Sequence, residues 1–193
     1  MADDSTPVIK KRILDAAAHL FVAGGYNGLS MREIAGAVGI TKPALYYHYK
    51  DKDDLILAML INCLEEYIHL LDANLNTSRG TYAALEGIIQ SIFMLSEEKR
   101  ALIYMAEQEA VHLSTQSRDQ FNRLYREKFV DKVKRIFEEG MSNGELRRMD
   151  AALVTHLFLG MIFPFLRHSI ENVKDLSNIT LSIFFNGVAQ PHA

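Results

Sequence analysis

Residues Met31 to Leu55 read MREIAGAVGITKPALYYHYKDKDDL. Met31, Ile34, Ala35 and Val38 recur at i, i+3, i+4 and i+7, which predicts a short helix with one apolar face. Ser30 stands one position before it, where a hydroxyl can cap free backbone N–H groups, and Glu33 follows three residues on, as in a capping box. Gly39 supplies the backbone freedom that ends the helix, and Ile40 is expected to plug the core behind the turn. Thr41 is placed to cap a second helix, and Pro43 falls in its first turn, where a missing N–H costs nothing. Leu45 is expected to face inward. Tyr46, Tyr47 and His48 are three consecutive large, polar-tipped side chains on a helix too short to bury them all. Tyr46 and Tyr49 both suit the role of ordinary core aromatics, Tyr49 packing under the first helix of the chain. Lys50 and Lys52 suit a solvated face equally well. Lys42, Tyr47 and His48 have no packing reason to be there. Two short helices joined by a glycine turn form a helix-turn-helix, whose second helix presents its N-terminal residues to base edges in the major groove while flanking groups fix phosphates.

The run from Gly39 through Ile40, Thr41, Lys42, Pro43, Ala44, Leu45, Tyr46, Tyr47, His48, Tyr49, Lys50, Asp51, Lys52, Asp53 and Asp54 to Leu55 resembles the TetR family of transcriptional regulators. That family pattern has an apolar helix, a Gly-apolar turn, a Leu-Tyr-aromatic block, and a Lys before an acidic pair and Leu. The resemblance implies an all-α chain of about nine helices in two parts. Residues 1–51 would be the helix-turn-helix DNA-binding domain, and residues 52–193 a ligand-binding and dimerisation domain. It also implies contacts to double-stranded operator DNA from Arg32, Thr41, Lys42, Pro43, Ala44, Tyr46, Tyr47, His48 and Lys52. Sequence choice is assigned to Lys42, Tyr47 and the Pro43–Ala44 edge, and phosphate positioning to Arg32, Tyr46, His48 and Lys52. Ala44 departs from the Ser or Thr common in the family; it removes a hydroxyl and leaves a methyl suited to a thymine methyl.

Charge supports that division. The 193-residue chain has a formal net charge of −3. Between Ser5 and Lys50, however, Lys10, Lys11, Arg12, Arg32, Lys42 and Lys50 oppose only Asp15 and Glu33, a net of +4. The basic charge is therefore concentrated on the reader segment, and its modest size suggests that two copies act together. Apolar content of 49 % and charged content of 23 % are those of ordinary soluble chains. No run is long enough to span a membrane, and the acidic start MADDSTPVIKKR lacks the apolar core of a signal peptide. Its leading residues are expected to lack order. Cys63 is the single cysteine, which suits a reducing cytoplasm and a small apolar helix position.

Outward from the motif every segment reads helical. A first helix is expected from about Val8 to Ala23, ended by Gly24-Gly25, and a long one from Lys52 to Leu75. Thr81 is expected to cap the next helix; others span about Glu97–His112, Gln116–Glu139, Asp150–Ile170 and Asp175–Val188. Gly140 and Gly144 are read as a turn, and Pro164 as a kink. Tyr67, Phe93, Tyr104, Met105, Phe121, Tyr125 and Phe163 form the expected pocket for a small apolar or aromatic effector, an acyl chain among them, with Gln108 and Glu109 as polar hooks. Residue by residue these side chains also suit a filled core; the family resemblance raises the pocket above that reading. Leu157, Met161, Leu176, Ile179, Ile183 and Phe184 are the expected homodimer interface. No metal-ligand spacing, phosphate loop or nucleophile–base set is present, so neither cofactor, metal nor enzymatic activity is expected. The rival reading is a ligand-independent DNA-binding or nucleoid-associated dimer.

Overall fold

The computed structural model describes residues 5–76, 78–168 and 170–188; the leading residues Met1–Asp4, expected to lack order, lie outside that range. The described residues form α1 (Ser5–Gly28), α2 (Met31–Val38), α3 (Lys42–His48), α4 (Lys52–Leu75), α5 (Gly80–Met94), α6 (Glu97–Glu109), α7 (Thr115–Tyr125), α8 (Asp131–Ser142), α9 (Ala151–Ile162) and α10 (Val173–Val188). A π-helical turn, Arg126–Val130, joins α7 to α8. Counted with those two as one rod, the described residues make nine helices, as expected. The chain divides into two compact units. One holds the described chain up to Glu65 with Ala101–Arg123, and the other Glu66–Arg100 with the chain from Leu124 onward. The first unit therefore takes in more than the 51 residues assigned to DNA reading.

In the first unit, α1 buries Ile13, Ala17 and Phe21, each at most 1 % exposed, against Ile34, Val38 and Leu45. Burying each of the larger side chains among these, Ala17 aside, is worth about 1.5–3 kcal/mol. Gly25 breaks α1 with φ +66° and ψ −169°; the helix then adds one turn to Gly28 instead of stopping. Arg12 Nη2 donates to the Val38 carbonyl at 2.7 Å, which satisfies an orphan acceptor at the α2 C-terminus. Cys63 is buried in the same core. Asp51 opens α4 by accepting from the Asp54 N–H at 2.8 Å.

The second unit is built around α5, α8, α9 and α10. Phe137, Phe158 and Phe184 meet with ring centroids 5.3–5.8 Å apart, in the tilted and edge-on geometries aromatic pairs prefer. Three expectations change here. Thr81 does not cap α5: it lies inside the first turn, and its N–H donates to Glu145 Oε2 at 2.7 Å. The distant carboxylate takes the place of a local hydroxyl because Thr81 is buried. Gly140 is not a turn residue. It lies within α8, where an added Cβ would stand 2.3 Å from Thr81 Oγ1; Gly144, with φ +78°, makes the turn. Finally, α9 ends at Ile162, and Pro164 sits in a 3₁₀ turn, Phe163–Arg167, because proline cannot supply the next α-helical N–H. Asp150 caps α9, accepting from Ala152 and Leu153 N–H at 2.8 and 3.0 Å.

Candidate functional site

The two short helices have the form their residues dictate. Ser30 Oγ accepts from the Glu33 N–H at 3.2 Å and donates to the Glu33 carboxylate at 2.6 Å. Gly39, at φ +75°, closes α2 with its N–H on the Ala35 and Gly36 carbonyls. Thr41 Oγ1 caps α3 through the Ala44 N–H at 3.3 Å. Leu45 is fully buried and Tyr49 is 7 % exposed, so the α3 backbone is fixed from beneath. Burial, then Asp54, raises the Tyr49 phenol above its ordinary range, in keeping with a core position.

The opposite side of α3 is open. Tyr47 is 86 % exposed and Tyr46 43 %. Lys42, Pro43, Thr41 and Arg32 are exposed, while Ala44 and His48 are half-buried. Lys42 Nζ lies 5.6 Å from the Tyr46 ring centroid, and Tyr47 meets His48 edge-on at 5.4 Å. Lys52 is held differently: its ammonium sits 4.2 Å above the Tyr26 ring, a cation–π contact, and burial lowers its pKa. All nine expected DNA-facing residues lie on or beside α2, α3 and the start of α4.

Polar contacts within the first unit tie the start of α4 and the end of α1 to the α6–α7 segment. The Asp53 carboxylate accepts from Ser114 N–H at 3.0 Å, from Ser114 Oγ at 2.8 Å, and from Ser117 Oγ. Burial pushes that carboxyl up, but the Ser117 and Ser114 hydrogen bonds and the Lys50 charge outweigh it, and its pKa lies below the ordinary value. Glu109 Oε2 accepts from the Tyr26 N–H at 2.9 Å beside the Gly25 break, and Tyr26 stacks on His112 at 5.6 Å. Sequence reading missed Asp53 and Arg12. The acidic pair after Lys52 was a visible signal for the first; nothing local marks the second.

The expected effector residues are divided between the units. Tyr104, Met105, Gln108 and Phe121 belong to the first, Tyr67, Phe93, Tyr125 and Phe163 to the second. Two assignments change. Gln108 is exposed, because it lies on the solvent side of α6, and Glu109 is committed to the Tyr26 N–H. A cavity of about 340 Å³ in the second unit is bordered by Ser78, Thr81, Lys132, Arg135, Glu139 and Glu145 among others, and by none of the expected effector residues. Of the expected interface, Leu157, Ile179 and Ile183 are 59–62 % exposed, and Leu153 matches them at 61 %. Met161 and Leu176 are half-buried. Phe184 is not on that outward face: at 6 % exposure it packs on Phe137 and Phe158, one helical step round from Ile183.

Two family profiles match this chain. The one described as bacterial regulatory proteins, tetR family, covers residues 13–59, and the one described as tetracyclin repressor-like, C-terminal domain, covers residues 80–164. The chain belongs to the TetR family. It is therefore a helix-turn-helix transcriptional regulator with a C-terminal helical domain. The HTH-type transcriptional repressor KstR2 of Rhodococcus jostii strain RHA1 is 23 % identical over 99 % of this chain and 97 % of its own length. Among solved TetR folds, FadR from Bacillus subtilis in complex with stearoyl-CoA has a TM-score of 0.80 at 20 % identity, covering 92 % of this chain and 98 % of that one. AibR in complex with isovaleryl coenzyme A and operator DNA has a TM-score of 0.77 at 21 % identity, covering 91 % and 97 %. Among the described residues no helix is long and apolar enough to cross a membrane.

Proposed function

We propose that this TetR-family regulator is a cytoplasmic homodimeric repressor that binds a palindromic operator and is released by an apolar small-molecule effector. Residues 1–51 read DNA; residues 52–193 sense the effector and hold the dimer. The observation that carries the DNA half is Tyr47. A tyrosine 86 % exposed on a helix whose other side is fully packed, with Lys42 and Tyr46 beside it, has its use outside the chain. Support for the dimer comes from Leu153, Leu157, Ile179 and Ile183, apolar side chains left in water on α9 and α10. A two-fold pairing through that face mirrors an operator palindrome. The acyl-CoA complexes of FadR and AibR support an acyl effector.

Release requires a change in head spacing. Two heads occupy successive major grooves only when their separation is about 34–36 Å. An effector that moves the population from 1:99 to 99:1 must prefer the released state by about 5.5 kcal/mol. Selection of bound sequences from random duplex DNA, followed by challenge of the selected complex with acyl-CoA esters, tests both halves. A palindromic consensus released by a ligand is expected. Binding to no duplex at low salt would remove the DNA half. Sequence-selective binding indifferent to every ligand would favour the constitutive rival, which the polar lining of the cavity beside α5 and α8 also suits.

A further inference from the structure

Tyr67 on α4 is 4 % exposed, and its hydroxyl makes no hydrogen bond. Buried hydroxyls nearly always have a partner, because one left unsatisfied loses its bonds to water and gains nothing. The ring of Phe129 meets Tyr67 at 5.2 Å, edge-on, and Tyr125 meets Phe129 at 5.4 Å. Burial, then Tyr125, holds the Tyr67 phenol well above its ordinary range. It is therefore neutral at physiological pH and keeps its proton to donate.

A second irregularity lies beside it. The π-helical turn Arg126–Val130 begins directly after Tyr125 and contains Phe129, and the Asp131 N–H reaches back to the Arg126 carbonyl. Such single turns inside α-helices occur frequently at functional sites. The other buried polar atoms without partners have less to recommend them. Arg100 Nε is one, but the same guanidinium donates to the Leu95 carbonyl at 2.7 Å and lies 5.4 Å from the Phe93 ring, so Arg100 is accounted for as a cap on the end of α5. Ser177 Oγ is the other; it sits on α10 with no helical irregularity beside it.

We propose that Tyr67 is the hydrogen-bond donor that selects the effector, and that the effector is an apolar molecule whose neutral carbonyl oxygen accepts from Tyr67 against the rings of Phe129 and Tyr125. An acyl thioester or a cyclic ketone fits. A free carboxylate would carry an unpaired charge into an apolar site, and a hydroxyl or amine would bring a proton needing a further acceptor. This inference rests on the ligand-sensing reading above and supplies the polar contact that Gln108 and Glu109 do not.

The test compares the full-length wild type with Tyr67→Phe, which removes only the hydroxyl. The probes are stearoyl-coenzyme A, its S-octadecyl thioether analogue lacking only the carbonyl oxygen, and progesterone. Binding is followed by calorimetry and folding by thermal melting. Without ligand, Tyr67→Phe is expected to melt at or above the wild-type temperature, because the lost hydroxyl had no bond to lose. At least one carbonyl probe should bind wild type and bind Tyr67→Phe roughly tenfold more weakly, while the thioether should not distinguish the two proteins. Equal binding of the carbonyl probes to both, or a Tyr67→Phe protein melting clearly below wild type, overturns the proposal and leaves the sensing reading standing. A wild type that binds neither carbonyl probe removes this proposal and the acyl-effector reading together.

Discussion

Tyr47 and Tyr67 are the same residue in opposite surroundings. One stands on α3 with 86 % of its surface in solvent; the other lies inside the second unit at 4 % exposure with an unsatisfied hydroxyl. Neither arrangement is what a chain folding only for its own stability would select. An exposed ring forgoes burial worth about 1.5–3 kcal/mol, and a buried, unbonded hydroxyl costs about 1–3 kcal/mol. In the first region the missing partner is outside the chain, large and anionic. In the second, on the reading proposed above, it would be small, apolar and inside. The two halves of a regulator are thus marked by opposite departures from ordinary packing.

The comparison breaks if the second unit merely folds and does not join two heads. The largest expected effect therefore comes from Ile183→Asp. Ile183 is 62 % exposed, so the variant should keep its helicity. Sedimentation should show a monomer, and operator affinity should fall by on the order of a hundredfold or more, since two linked half-site contacts become one. A folded dimer with normal operator affinity would place the interface elsewhere.

Two glycines sharpen the contrast between the regions. In α8, Gly140→Ala would set a Cβ 2.3 Å from Thr81 Oγ1 and 3.1 Å from Leu146. Overpacking of that kind should destabilise the chain by about 1–3 kcal/mol. In α2, Gly36 has nothing within 4 Å of an added Cβ, and Gly36→Ala should gain about 0.4–1 kcal/mol from helix propensity and chain entropy. Urea unfolding of the two variants should move in opposite directions; equal shifts would mean that the close approach of α5 and α8 is not rigid.

The next effect separates reading from positioning. Lys42→Ala should cost about 1–3 kcal/mol on the selected operator and less on mismatched duplexes. Lys52→Ala should weaken all sequences alike and lower the salt slope by about 1. Lys52 already rests on Tyr26, so its position is set before DNA arrives. Sequence-blind losses of the same size for both variants would sink the assignment of Lys42.

The helix-turn-helix was legible because each of its signals is local. Ser30, Gly39 and Thr41 act on backbone groups within four residues of themselves, and the apolar spacing of α2 dictates its buried face. The second unit was less legible because its decisive contacts span long separations. Glu145 reaches the Thr81 N–H across 64 residues, and Gly140 is needed by that same threonine. Periodicity showed α10 to be apolar but could not say that Phe184 turns inward while Ile183 turns out. The π-helical turn after Tyr125 carries no composition signal at all. Glu109 was noticed as a polar residue on α6, yet its partner lies 83 residues away at Tyr26.

The smallest expected effect tests how the head is tied to the helices behind it within the first unit. Asp53 accepts three hydrogen bonds from Ser114 and Ser117, and its pKa is depressed by them despite the opposing effect of burial. In the unfolded chain the group should titrate near its ordinary value of about 3.9. A depressed folded pKa means that the stabilisation is fully present above that unfolded value and is lost as pH falls through the folded one. Asp53→Asn should therefore cost about 1 kcal/mol near neutral pH. The gap between variant and wild type should hold constant down to about pH 5 and narrow below pH 4 as the wild-type carboxylate takes up its proton. Urea midpoints measured across that range give the difference directly. A gap that widens on acidification, or that is absent at neutral pH, would show that Asp53 does not hold Ser114 and Ser117 as a carboxylate, and the polar tie of the α6–α7 segment to the rest of the first unit would fall to Glu109 and Tyr26 at the end of α1.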